Sequence, residues 1–281
     1  MSKKILSLLM AGMLSFTMVA CSSSNDDVKE ETPSNSVEKI TLVTTTSLDD
    51  TGFLEETLKN FEKENNVDVE VVAKGTGEAL ELGKRKDADI LFVHAKAKEE
   101  AFIEEGYGVD RSEIMYNYFV VVGPENDEHA DAISALSVEE AFKYIQENNL
   151  PFLSRGDNSG THTKELAIWE KAGVEPTFEK YNEVGKGMAA TLQMADEMGA
   201  YTLTDIGTYL ATRENNDLKI VIEADESLKN VYSIVTISDL DEDMKAITDK
   251  LVEYYKSDDV QQKIKEYGVD KYKEPLFFIF E

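Results

Sequence analysis

Residues Pro151 to Gly173 read PFLSRGDNSGTHTKELAIWEKAG. A short apolar run enters a turn of small polar residues, and the turn opens a helix carrying Leu166, Ile168 and Trp169. Strand, turn, helix is the repeating unit of an α/β sheet. The same unit recurs along the chain. KITLVTTTS (39–47) precedes a helix over 51–65 in which Phe53, Leu54, Leu58 and Phe61 fall at helical spacing. VDVEVVAKGTG (67–77) runs into the helix EALELGKRKDA, and DILFVHA (89–95) is a third strand. NYFVVVGP (117–124), AYTLTDIGTYLAT (200–212) and NVYSIVTIS (230–238) continue the theme, and two helices follow in 240–267. Ser137 with Glu140 has the spacing of a capping box. The alternation predicts an α/β protein with a mainly parallel sheet. In such sheets ligands gather where strands end and helices begin.

The chain has 281 residues, enough for two lobes with a core in each. Fifty-six Asp and Glu against 29 Lys and Arg give a formal charge of −27. That surface repels nucleic acid and anionic membranes at long range, so no nucleic-acid partner is expected. It does not forbid a local anion site. The start of the chain is different in kind. Lys3 and Lys4 precede an uncharged run from Ile5 to Ala20, then comes Cys21, the single cysteine. Residues 1–20 read as a secretory signal peptide. MVAC resembles a lipobox, which makes Cys21 the expected lipidation site and the protein an extracytoplasmic lipoprotein held at the cell membrane. One cysteine excludes an internal disulfide. Residues 21–37 are polar and read as a tether. The body divides into lobe 1 (38–118 plus 231–281) and lobe 2 (119–230), joined by a two-stranded hinge beside a cleft.

SRGDNSGTH places Ser159, Gly160 and Thr161 at a helix start. The first N–H groups of a helix lack internal partners, and the helix dipole adds partial positive charge there. Gly160 admits close approach, and Arg155 offers a planar fork of donors suited to oxyanion edges. Asp157 can orient that guanidinium or cap the helix. Simple capping is the competing reading. TTTS (44–47) adds Thr45, Thr46 and Ser47 at another strand end, where Ser47 or Thr46 can cap the helix that begins near Asp50 or Thr51 and one hydroxyl suffices for that. KGTG (74–77) adds Thr76. GKGM (185–188) and YTLT (201–204) could supply further donors from lobe 2.

Metal and catalytic motifs are missing. No CxxC, HExxH, EF-hand loop or GxSxG is present, and KGTGEAL does not fit a Walker pattern. His94, His129 and His162 share no metal spacing. His94 reads as structural and His162 as a residue that orients its turn. Ser159 and His162, three apart at a helix start, do not aim at each other as nucleophile and base. Donors without a nucleophile, base, metal or cofactor describe binding rather than catalysis.

Together TTTSLDDTG, VVAKGTGEAL, ADILFVHA, MYNYFVVVGP, SRGDNSGTHTKE, GKGMAATLQMA and AYTLTDIGTYL resemble the tungstate-binding proteins of the TupA type. These are substrate-binding components of ABC transporters. The resemblance implies a type II periplasmic-binding fold holding a tetrahedral oxyanion between two lobes, with a membrane permease as partner. It gives Thr45, Thr46, Ser47 and Thr76 as donors from lobe 1, and Arg155, Ser159, Gly160 and Thr161 from lobe 2. Met188, Tyr201 and Thr202 are further transfers. Lys186 and Ile206 depart from the expected Gln and Arg. Molybdate, sulfate or phosphate are the alternative ligands of the same fold, and a lipoprotein enzyme acting on phosphate esters is the alternative of another class.

Overall fold

The structure, a computed structural model, describes residues 37–280. The signal segment 1–20, Cys21 and the tether up to Ser36 lie outside the described residues. Among the described residues no helix is long and apolar enough to cross a membrane.

Strand β1 (Glu38–Thr45), helices α1 (Thr46–Asp49) and α2 (Phe53–Asn65), strand β2 (Val67–Lys74), helix α3 (Thr76–Lys84), strand β3 (Ile90–Val93) and helix α4 (Lys96–Glu104) come first. β1 pairs in parallel with β2 and with β3. Strand periodicity of two sorts the side chains into layers. Ile40, Leu42, Ile90 and Phe92 face one side, with Phe53, Leu58 and Phe61 of α2. Val43, Leu91 and Val93 face the other, with Ala79 and Leu80 of α3 and Phe102 of α4. Both faces are covered, so the strands read as apolar runs.

Strand β4 (Gly108–Pro124) then leads into α5 (Ala130–Ser134), α6 (Val138–Glu147), β5 (Phe152–Ser154), α7 (Gly160–Lys171), β6 (Tyr181–Glu183), α8 (Met188–Met198), β7 (Thr202–Asp205), α9 (Ile206–Thr212) and β8 (Leu218–Ile222). β9 (Lys229–Ile237), α10 (Glu242–Lys256), α11 (Asp258–Glu266) and α12 (Val269–Tyr272) follow. The sheet order is β2-β1-β3-β9-β4-β7, with β8 also on β4. β4 pairs antiparallel with β9 from Gly108 to Tyr118, then with β7 from Phe119 to Val122. Thus β4 carries the chain out of the first layered half and β9 brings it back. In the second half, Phe119 and Val121 pack with Phe142 and Trp169, while Val120 and Val122 pack with Leu192 of α8. Leu251, Tyr255 and Ile264 of the last long helices complete the first core.

Three expectations change. The sheet is mixed rather than mainly parallel, because the crossing strands run out and back instead of through helical crossovers. Asn117–Pro124 is only the end of the 17-residue β4. Its first part exposes Val109, Asp110 and Glu113, so it does not read as a buried strand. Thr45, rather than Thr46 or Ser47, caps the helix that follows β1, and that helix is the single turn α1; α2 starts separately after Gly52, whose φ is 77°. The Ser137–Glu140 capping box forms as read.

Candidate functional site

Turns at strand ends from both halves converge. After β1, the Thr45 hydroxyl accepts the Leu48 N–H at 3.4 Å and lies 3.3 Å from Ser47 Oγ. Ser47 Oγ in turn lies 3.4 Å from His94 Nε2, at the end of β3. After β2, Gly75 caps α3 with its backbone alone, and Thr76 is wholly buried at the first helical position.

The second half supplies the Ser154–Thr161 turn. Gly156 and Asn158 both adopt positive φ, 59° and 58°, which folds the turn back on itself. Ser159 caps α7, its hydroxyl accepting the His162 N–H at 3.2 Å. Arg155 is only 3% exposed. Its Nε donates to the Lys186 carbonyl at 3.2 Å and its Nη2 to Asp157 Oδ2 at 2.5 Å. The other Asp157 oxygen accepts the Ser159 N–H at 3.1 Å. Burial alone would raise the Asp157 carboxyl, but Ser159 and the Arg155 charge outweigh it and hold it below its ordinary value.

The two sets of turns touch through glycines. A Cβ on Gly75 would sit 3.5 Å from Ser159 Cα, and one on Gly187 would sit 3.9 Å from Thr46 Oγ1. A Cβ on Gly160 would sit 2.5 Å from His94 Cε1. The Arg155 charge is felt at His94, Asp50 and Asp205. All eight residues expected from sequence therefore lie in turns that face one another. Three of them, Thr46, Thr76 and Thr161, bury a hydroxyl that has no hydrogen-bond partner among the described residues. Buried hydroxyls are normally paired, so three unpaired ones in facing turns make these residues candidate donors to a ligand.

The weaker transfers are spent elsewhere. Met188 packs into the core with Val120 and Leu153. Thr202 gives its hydroxyl to the Leu153 carbonyl at 2.8 Å. The Tyr201 ring lies against Gly123, and its hydroxyl, beside Asp127, is also buried without a partner among the described residues.

The support behind the turns has little signal in the sequence. His94, read as structural, is buried and stands between Ser47 and Gly160. Burial, opposed by its bond to Asn230 and helped by the Arg155 charge, brings its pKa down to about 4, so the ring is neutral at neutral pH. Its Nδ1 lies 2.8 Å from Asn230 Oδ1 on β9, and Asn230 Nδ2 donates to Asn117 Oδ1 on β4 at 2.8 Å. The adjacent backbone is fixed by fully buried Glu99, which accepts the Ala95 N–H, the Ser233 hydroxyl at 2.5 Å and Arg111 Nε at 2.6 Å. Glu165 on α7 is also buried and accepts Trp169 Nε1 at 3.1 Å and the Tyr181 hydroxyl at 2.9 Å. The only sequence signal for His94 was its place at a strand end. Glu165 gave none.

Residues 29–267 match the model of the PBP superfamily domain. The chain is 40% identical, over 98% of both chains, to the tungstate-binding protein TupA of Peptoclostridium acidaminophilum. It is similar to the crystal structure of the tungstate ABC transporter from Geobacter sulfurreducens, with 43% identity, a TM-score of 0.72, and 82% of this chain and 99% of that one covered. It is also similar to the tungstate-binding protein TupA of Desulfovibrio alaskensis G20, with 35% identity, a TM-score of 0.71, and 87% and 99% covered.

Proposed function

Because the chain belongs to the PBP superfamily and, within it, to the family of the TupA tungstate-binding proteins, we propose that it captures tungstate outside the cytoplasm and delivers it to the permease of an ABC transporter. It is a binding protein rather than an enzyme. The observation that carries the reading is the set of buried hydroxyls of Thr46, Thr76 and Thr161, in facing turns, that have no partner among the described residues.

In this reading lobe 1 is 38–118 plus 231–281 and lobe 2 is 119–230. Thr45, Thr46, Ser47 and Thr76 hold the anion from one lobe; Arg155, Ser159, Gly160 and Thr161 hold it from the other. An anion that touches both lobes only when they close favours the closed form. The donor chemistry suits an oxyanion without a proton. Hydrogen phosphate brings a proton and needs an acceptor. The nearest carboxylate, Asp157, already gives one oxygen to Arg155 and the other to the Ser159 N–H. A formal charge of −27 is compatible with dianion capture, because screened surface charges act weakly beside dipoles aimed at short range. Cys21 carries the anchor, and the two chains of a diacylglycerol suffice for stable attachment where one would not.

The test is a calorimetric titration with tungstate, molybdate, sulfate and phosphate in turn. A one-to-one isotherm that is tightest for tungstate and lost in Arg155→Ala is expected. Tightest binding of phosphate would assign the site to a protonated oxyanion, and no binding of any of the four would sink the transport reading.

A further inference from the structure

His94, Asn230 and Asn117 lie behind Ser47 in an unbroken buried line that links the candidate site to both crossing strands. A neutral imidazole has one nitrogen that donates and one that accepts, so the line has a direction. In the direction as placed, His94 Nδ1 donates to Asn230 Oδ1 and Asn230 Nδ2 donates to Asn117 Oδ1. His94 Nε2 is then a bare acceptor, and the nearest proton for it is that of Ser47. This direction draws the Ser47 proton away from the cleft. The outer amide atom of Asn117, Nδ2 as placed, and the Tyr232 hydroxyl are buried without a partner among the described residues whichever way the line runs.

The opposite direction uses the same atomic positions. Each Asn amide turns end for end with no change of shape, and the imidazole proton moves from Nδ1 to Nε2. Asn117 Nδ2 then donates to Asn230 Oδ1, Asn230 Nδ2 to His94 Nδ1, and His94 Nε2 to Ser47 Oγ. The Tyr232 hydroxyl lies beside the Ser47, Asn117 and Asn230 side chains without bonding to any of them, and turning the amides does not change that. As placed, Asp205 Oδ1 and Asn117 Nδ2 both flank Gly207, 3.1 and 3.6 Å from where its Cβ would sit; the Asp205 oxygens are engaged by the Thr208 N–H at 2.9 Å and the Thr208 hydroxyl at 2.7 Å.

We propose that in the anion-loaded protein Asn117, Asn230 and His94 form a one-way hydrogen-bond relay, each donating to the next, which ends at Ser47 Oγ and commits the single Ser47 proton to the bound oxyanion. The inference rests on the oxyanion reading above and deepens it. These three are positioning residues that touch the anion only through Ser47. The relay also sets selectivity. With Nε2 protonated, Ser47 is a donor and suits a fully ionised anion. With Nε2 bare, Ser47 gives its proton to His94 and can accept one from a protonated oxyanion.

The tautomer is read directly by long-range proton–nitrogen correlation of the His94 ring in the full chain, before and after saturation with sodium tungstate. A protonated Nε2 with a bare Nδ1 in the loaded protein is the expected result. A protonated Nδ1, or protonation of both nitrogens, overturns the relay while leaving tungstate binding intact. A titration that never saturates sinks the binding reading and the relay with it. A double-mutant cycle adds a readout that packing alone would not move. Ser47→Ala should weaken tungstate binding about tenfold, the scale of one hydrogen bond, and Asn230→Leu, which removes the donor to His94 while leaving His94 against Gly160, should weaken it to a similar degree. Asn230→Leu should cost nothing further once Ser47 is Ala. Additive losses in the cycle overturn the relay.

Discussion

Gly160 and His94 meet face to face across the two halves of the protein. A methyl group on Gly160 would stand 2.5 Å from His94 Cε1 and 2.7 Å from Nδ1, well inside van der Waals contact. Gly160 is the first residue of α7, where alanine is a good helix former, so the second half has no local reason to resist the change. Gly160→Ala should therefore spare the unfolding midpoint of the ligand-free protein and obstruct closure. Tungstate affinity should fall about ten- to a hundredfold, the scale of an overpacked contact. An unchanged calorimetric affinity would mean that His94 and Gly160 do not need to approach for the anion to bind.

Thr76 and Thr161 allow a cleaner separation of binding from stability. Both hydroxyls are buried without partners among the described residues. Replacing such a group by an apolar one of the same shape removes an unmet desolvation cost, worth about 1–2 kcal/mol. Thr76→Val and Thr161→Val should thus raise the melting temperature of the ligand-free protein while each weakens tungstate binding about tenfold. A stabilised variant with full affinity would show that the hydroxyl is a packing defect and not a ligand donor.

Arg155 tests geometry against charge. Its guanidinium is held by the Lys186 carbonyl and by Asp157, and among the described residues Nη1 forms no hydrogen bond. A lysine keeps the positive charge but not the planar fork, and its flexible stem cannot be held at two points. Arg155→Lys should bind tungstate far more weakly than the parent, with a loss approaching that of Arg155→Ala. Affinity close to the parent in calorimetry would mean that charge alone is what the anion senses.

Much of the fold is legible from sequence because strands covered on both faces, such as β1 and β3, read as apolar runs that end in small polar turns. Those turns are also where the eight expected residues lie. The first part of β4 is not legible, since Asp110 and Glu113 are exposed and interrupt the apolar pattern. The support behind Ser47 is hidden for another reason. Asn117, Asn230 and His94 come from three distant strands, and only the pairing of β3 with β9 and of β9 with β4 lines them up. Nothing in their neighbours along the chain announces it.

Glu165 is hidden by its helix, where one more carboxylate reads as a solvated face. Its burial lifts the carboxyl to about 7, against the opposing bonds from Ser154, Tyr181 and Trp169. A carboxyl raised in the folded state favours the fold in its protonated form. Its contribution is full below the unfolded value of 4.5 and is lost as pH rises through about 7. Across that window the loss is on the order of 3 kcal/mol. Trp169 and Tyr181 both donate to Oε1, an acceptor that glutamine keeps. Glu165→Gln should therefore match the parent in mildly acidic solution and exceed its melting temperature above neutrality, with tungstate affinity unchanged. Thermal unfolding of both proteins across that pH range checks it. Parallel curves for parent and variant would mean that Glu165 is ionised in the fold throughout, and that its neighbours compensate the buried charge.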